Sequence, residues 1–473
     1  MTSYLFRDVE LPGGRADVAV AGDRIAAIAG GLDAGAAEVI DGRGAPLLPG
    51  LHDHHLHLHA IAADADSVRC GPPRVRTSDE LAAALAAAPG EGWIRGVGYV
   101  ETVAGLLDAA ALDRFHARRP VRMQHRSGAL WILNSVACEA VRLDTADHPG
   151  VERDDSGRPT GRVWRADAWL RERLPRTGPP SLTRVGADLS RFGITGVTDA
   201  TPDLPPASLS ALLDAHISGA LPQRLHLLGV PVDDPAESSH HRTTGRVFPD
   251  TVTIGPGKIV IADSDPVDFD RLAALVRRAH AAHRPVAVHC VSRVALVVLL
   301  AVFDEVGSMP GDRIEHGAVI PAESFEALRG HGLTIVTQPG FLAHRGDDYL
   351  HRVDAEDLPD LYRCRSLLSE GIALALSSDA PYGPLNPWSV MAAAEARRAP
   401  TGEILGEPEQ LTASEALSGY LTPLDDPGGR PRTIRVGEPA DLVLLDRPLA
   451  EAARPGADPV RCTMIRGRIR YRR

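Results

Sequence analysis

Five histidines and one aspartate crowd a short segment, Pro49-Gly50-Leu51-His52-Asp53-His54-His55-Leu56-His57-Leu58-His59. Alternate side chains of an extended strand share a face, so Asp53, His55, His57 and His59 can point the same way. Two imidazoles at spacing two can then grip one metal ion through their ring nitrogens. A His-rich surface tract is the plain alternative. The Pro-Gly lead-in, which favours burial, and further histidines downstream weigh for metal.

Those further histidines end separate β-like runs, His289 in Val286-Ala287-Val288-His289 and His316 in Arg313-Ile314-Glu315-His316-Gly317. One such histidine alone is more often a hydrogen-bonded core residue than a ligand. Two of them following an H-x-H strand are harder to assign to packing. Asp379, in Ser377-Ser378-Asp379-Ala380-Pro381, ends another apolar run and adds a carboxylate. Of the 51 basic residues one is a lysine, Lys258, and fifty are arginines. Arginine supplies charge everywhere else, so the lone lysine invites a chemical explanation: its amine can be neutral and nucleophilic where a guanidinium cannot.

These residues need a frame that brings distant strand ends together. Eight β-like runs alternate with helical patterns: Leu51–His57, Ile194–Asp199, Arg224–Val230, Lys258–Ala262, Val286–Val291, Arg313–Gly317, Thr334–Thr337 and Ala373–Ser378. Eight is the number an α/β fold of the (β/α)8 TIM-barrel type needs, and such barrels collect reactive groups at the carboxyl ends of their strands. Helices are expected over Asp268–His283, Arg293–Glu305, Ala322–Gly330 and Leu361–Glu370. The stretch between the first two strands, about 60–190, is too long for a βα connection and predicts an inserted subdomain. Short β-like runs at both ends predict a small sheet domain from residues 1–50 and 425–473, leaving 51–424 for the barrel and its insertion.

Composition narrows the function. With a net charge of -11 and no basic stripe, nucleic acid is excluded as an expected partner. The longest strongly apolar stretch, Val294–Phe303, is too short to span a bilayer, and the first ten residues carry no secretory pattern. Cys70, Cys138, Cys290, Cys364 and Cys462 are odd in number and widely spaced, which suits reduced thiols in a cytoplasmic protein. Homo-oligomerisation is left open. Gly255-Pro256-Gly257-Lys258 faintly resembles a phosphate loop, but Ile259 and Val260 follow where Ser or Thr is needed.

Taken together, Pro49 to His57, Lys258, His289, Glu315-His316-Gly317 and Ser378-Asp379-Ala380-Pro381 resemble the amidohydrolase superfamily, in particular its YtcJ-like group. Trp93 to Tyr99, Asn134-Ser135, Gly193 to Thr198 and Gly437 to Leu442 extend the resemblance over almost the whole chain. It implies a (β/α)8 barrel carrying a β-sandwich built from both termini. It further implies metal ligation by His55, His57, His289 and His316, with Asp379 as ligand and general base and Lys258 as a carboxylated bridge. The Pro-Gly spacing selects His55 and His57 over His57 and His59. Ala129 stands where many relatives place a histidine, a departure that bears on substrate recognition.

The expected cofactor is one or two divalent ions, zinc first by the donor set, lowering the pKa of bound water toward ~7. Asp379 would take the proton and return it to the departing nitrogen. The reaction so implied is hydrolysis of a small-molecule amide, cyclic amide, N-acyl or N-formyl compound. An amidine deaminase or an esterase-like hydrolase could use the same site, and a catalytically inactive scaffold is the reading outside enzymes. Tyr99, His125, Arg126, Trp131, Gln338 and Trp388 are the substrate-binding candidates, with Phe341 and Tyr382 beside them; packing or surface roles compete for each.

Overall fold

The computed structural model describes residues 3–72, 74–175, 178–232, 242–243, 246–261 and 267–473. Its α/β architecture divides into two compact units, Met1–Ile61 with Ser181–Arg473, and Ala62–Pro180.

The first unit is built on parallel strands. One sheet runs Val252–Ile254, Arg224–Leu227, Ile194–Asp199, Leu51–Leu56, and the other runs Gly257–Val260, Val286–Cys290, Arg313–His316, Thr334–Thr337, Leu374–Leu376. Every pairing within them is parallel. Backbone hydrogen bonds also pass between the sheets. Asp379 N–H donates to His55 O at 2.8 Å, His57 N–H to Ala380 O at 3.0 Å, and Lys258 N–H to Leu228 O at 3.2 Å.

All eight expected strands occur: Ile194–Asp199 and Thr334–Thr337 have the expected bounds, the fourth begins one residue earlier at Gly257, and the others are shorter at one or both ends. Ala262, the last residue of the fourth expected run, lies outside the described residues. Parallel strands covered on both faces normally read as continuous hydrophobic runs. Leu374–Leu376 obeys this, but Leu51–Leu56 carries His52, Asp53, His54 and His55, all buried. Burying that much polarity is unfavourable unless each group finds a partner or a ligand, so this strand is shaped by more than packing.

Helices follow where the sequence supplies caps. Phe269–Ala281 starts at Asp268, whose carboxylate accepts from Arg271 N, and Arg293–Val306 starts at Ser292, whose hydroxyl accepts from Ala295 N. The helix expected over Leu361–Glu370 is confined to Arg365–Ser369, because 358–360 form a 3-10 turn and Tyr362 adopts a positive φ. His59 is turned away from the expected ligand face: the strand stops at Leu56, a helix runs over Leu58–Ala65, and His59 Nε2 meets Ser208 O at 3.0 Å.

The termini form two more four-stranded sheets. One is ordered Arg24–Ala29, Gly14–Ala21, Ser3–Leu11, Glu38–Asp41. The other joins Leu47–Pro49 from the amino-terminal part to Leu442–Leu445, Val460–Ile465 and Arg468–Arg472. Phe6, Val18 and Ile40 share one buried apolar cluster with Leu442, Leu444 and Met464, so residues from both ends of the chain pack as one core. The second unit has its own six-stranded mixed sheet and its own core around Leu81, Leu112, Met123 and Ile132. Among the described residues no helix is long and apolar enough to cross a membrane, and no disulfide links the five cysteines.

Candidate metal centre

Four imidazoles meet at the carboxyl ends of the parallel strands. His55 and His57 rings lie 5.3 Å apart, His55 and His316 4.9 Å, and His289 and His316 4.5 Å. Asp379 enters from the end of the eighth strand, its Oδ1 3.2 Å from His57 Nε2 and 3.6 Å from His55 Nε2. Ligand atoms of His55, His57 and Asp379 all fall within 4.8 Å of one another.

Local backbone explains the convergence. His316 and Asp379 both have positive φ, 72° and 49°, a region that non-glycine residues rarely occupy and that clusters at functional sites. Gly317 continues the left-handed path at φ 51°, turning the chain off the strand so that the His316 ring faces the cluster. His57 is held by its neighbours: Asp199 accepts Leu58 N–H at 2.8 Å and Thr201 N–H at 3.1 Å, and Thr201 Oγ1 lies 3.3 Å from His57 Nδ1.

Two of the rings also have a buried partner that fixes their orientation. His55 Nδ1 donates to Glu315, whose other carboxylate oxygen accepts from Arg313 Nε at 2.6 Å. His316 Nδ1 donates to Gln338 Oε1 at 2.8 Å, while Gln338 Nε2 donates to Ser377 Oγ at 2.9 Å and Val336 O at 3.2 Å. Both imidazoles therefore keep Nε2 as the bare lone pair, the arrangement that orients histidine for metal.

The charge states agree with that. Burial, reinforced by the charge of Lys258, pushes His55 down to about 3. Burial likewise holds His316 well below the usual histidine range. Although burial raises it, Asp379 is lowered overall by the adjacent imidazoles of His57 and His316. Neutral imidazoles and an ionised carboxylate are the forms that bind a divalent cation.

Two orphaned atoms test whether these residues fit a metal. Asp379 Oδ1 and Lys258 Nζ are both buried and lack hydrogen-bond partners. A buried carboxylate oxygen left bare is costly, and a cation at roughly 2 Å from each donor satisfies it at the separations observed. Lys258 sits in the strand Gly257–Val260, two positions before Val260, which pairs with His289. Burial pushes its amine down to about 8, and it interacts electrostatically with Glu315 and Asp379.

Other candidates have different surroundings. Gln338 is 1% exposed and spends its amide on His316, Ser377 and Val336, so it positions a ring instead of reading substrate. Trp388 is fully buried, its indole N–H donating to Phe192 O at 3.1 Å, which makes it a packing residue. Tyr99, His125, Arg126 and Trp131 belong to the second unit. There Tyr99 donates to Gly105 O, His125 meets Ser127 and Glu101, and Trp131 lies beneath Arg95 and Arg122. Tyr382 stands against the cluster, its ring 5.6 Å from that of His57. The roles of Glu315, Arg313 and Asp199 had no distinct sequence signal beyond Glu315 adjoining His316.

A family model described as the amidohydrolase family matches residues 38–471. The chain is 27% identical to an N-substituted formamide deformylase of Arthrobacter pascens, over 96% of this chain and 95% of the relative. It is 24% identical to the amidohydrolase YtcJ of Bacillus subtilis, over 81% and 80%. An uncharacterized metal-dependent hydrolase of Pyrococcus horikoshii shares the fold with a TM-score of 0.77, at 19% identity over 95% of this chain and 98% of that one.

Proposed function

The chain belongs to the amidohydrolase family and is a metal-dependent hydrolase of carbon–nitrogen bonds, and we propose that it cleaves N-formyl or N-acyl amides at the His55, His57, His289, His316 and Asp379 cluster. The observation that carries this assignment is the buried, unpartnered Asp379 Oδ1 facing the Nε2 atoms of His55 and His57. The nine parallel strands, hydrogen-bonded across both sheet seams, are read as a (β/α)8 barrel with one auxiliary strand, and the two terminal sheets as a β-sandwich. That domain plan, 1–50 with 425–473 around 51–424, is part of the proposal.

The four imidazoles and Asp379 would hold one or two divalent ions, zinc by the nitrogen-rich donor set. When bound, the metal supplies Lewis-acid polarisation and water activation. Lys258 is proposed as a carboxylated bridge: its neutral amine adds carbon dioxide, forming an N–C bond and releasing one proton, which turns an orphaned amine into a carboxylate donor. Asp379, ionised and in the mouth of the cluster, takes a proton from the attacking water and delivers it to the leaving nitrogen. Glu315 and Gln338 keep His55 and His316 in single tautomers throughout. An N-formyl substrate class follows the Arthrobacter pascens relative, whose described activity is deformylation of N-substituted formamides.

Turnover of a panel of N-formyl, N-acyl, lactam and amidine compounds by zinc-loaded protein tests the reading. Formate or acyl release that stops on chelation and returns with zinc is expected. Ammonia release from amidines alone would move the assignment to deamination, and hydrolysis unaffected by metal removal would overturn it.

A further inference from the structure

A half-buried guanidinium lies beside the loop that carries Asp379, and among the described residues no carboxylate bonds it. Arg345 lies on the helix Gly340–Arg352, which starts two residues after Gln338, the partner of His316. Its Nη2 donates to Tyr382 O at 3.1 Å, and its guanidinium carbon sits 5.0 Å above the Phe341 ring, one helical turn back. Tyr382 N–H in turn donates to Asp379 O at 2.9 Å, and the Tyr382 ring stands 5.6 Å from His57. The guanidinium is therefore tied to the loop that carries Asp379.

Electrostatics agree with that placement. The phenols of Tyr349 and Tyr362, 3.0 Å apart, interact with the charges of both Arg345 and Asp379. Arg345 differs in its partners from Arg293 and Arg365 of the same unit, though Arg24, Arg397 and Arg432 also bond backbone carbonyls. Arg293 reaches Asp357, Asp360 and Glu323, and Arg365 is paired with Glu415, whereas among the described residues no carboxylate bonds Arg345. A guanidinium held this way keeps N–H donors in a fixed plane, suited to a carboxylate.

We propose that Arg345 reads a carboxylate on the substrate, so that the enzyme takes N-formyl or N-acyl amino acids in preference to neutral N-substituted amides. This rests on the site being a C–N hydrolase. One guanidinium balances one negative charge, and a dianion such as a phosphate would leave surplus negative charge beside Asp379. Tyr382, half-exposed, offers apolar surface beside the guanidinium for the amino-acid side chain, while Phe341 is buried beneath the guanidinium.

The test compares native protein with Arg345→Leu and Arg345→Lys on an N-formyl amino acid and on its methyl amide. In Arg345→Leu the acid-to-amide ratio of kcat/KM should fall by roughly 10- to 100-fold, mainly through KM, as expected for loss of a charged hydrogen bond. Arg345→Lys should restore part of it. Binding of the same N-formyl amino acid in an Asp379→Asn background, measured by calorimetry, separates recognition from turnover. If that binding weakens with Arg345→Leu while native protein hydrolyses neither compound, recognition stands and the C–N hydrolase reading fails. A ratio and a binding constant that Arg345→Leu leaves unchanged would overturn the proposal.

Discussion

Glu315 accepts the Nδ1 hydrogen of His55 on one carboxylate oxygen and Arg313 Nε on the other, with all three side chains buried. The pair decides which nitrogen of His55 is left for a metal. Burial raises the Glu315 carboxyl, yet Arg313, His55 and Lys258 hold it well below the usual range, so it stays ionised. Glu315→Gln should weaken metal affinity by about 10- to 100-fold, the usual effect of removing such a support. Competition with a chelator measures this. Affinity equal to native in a variant with a native melting temperature would remove Glu315 from the support of His55.

Lys258 should be irreplaceable by arginine. Lys258→Ala is expected to lose bridging metal and activity, with partial recovery of both when a small carboxylic acid is added. Lys258→Arg should fail as well, since a guanidinium adds no carbon dioxide. Full metal content and turnover in Lys258→Arg would exclude the carboxylated bridge and favour a centre without it.

Much of this arrangement was legible in the chain. The Pro-Gly-anchored histidine strand, the ordered His289, His316 and Asp379, and the alternation of apolar runs with capped helices are local patterns, and period and spacing reveal them. Partnerships across strands are another matter. That Gln338 serves His316 and that Trp388 donates to Phe192 O depends on which faces meet across sequence separations of 22 and 196. His59 leaves the face that strand periodicity alone would give it because the strand ends at Leu56 and the helix Leu58–Ala65 takes over with a different period.

Away from the centre, acid should remove one stabilising contact. Arg365 hydrogen-bonds Glu415 through its two terminal guanidinium nitrogens and, with Thr412, draws the Glu415 carboxyl from its ordinary 4.5 to about 2 against the opposing effect of burial. Because the folded-state value is depressed, the contribution is present above pH 4.5 and lost as pH falls through 2. Native protein should melt above Glu415→Gln at neutral pH, with the gap closing between those limits. A gap that is constant with pH would show that the ionised contact adds nothing.

Asp379→Asn should retain fold while turnover drops on the order of 10² to 10⁴-fold, as for loss of an acid-base group. Circular dichroism and steady-state rates on a substrate of the native enzyme check this. Near-native turnover would take Asp379 out of the proton transfers.

Elemental analysis of purified native protein beside a His55→Ala, His57→Ala double variant tests the metal centre most directly. Native protein should carry about one or two equivalents of a transition metal, and the folded double variant should lose most of it. Equal metal content in the two proteins would contradict the centre assigned here.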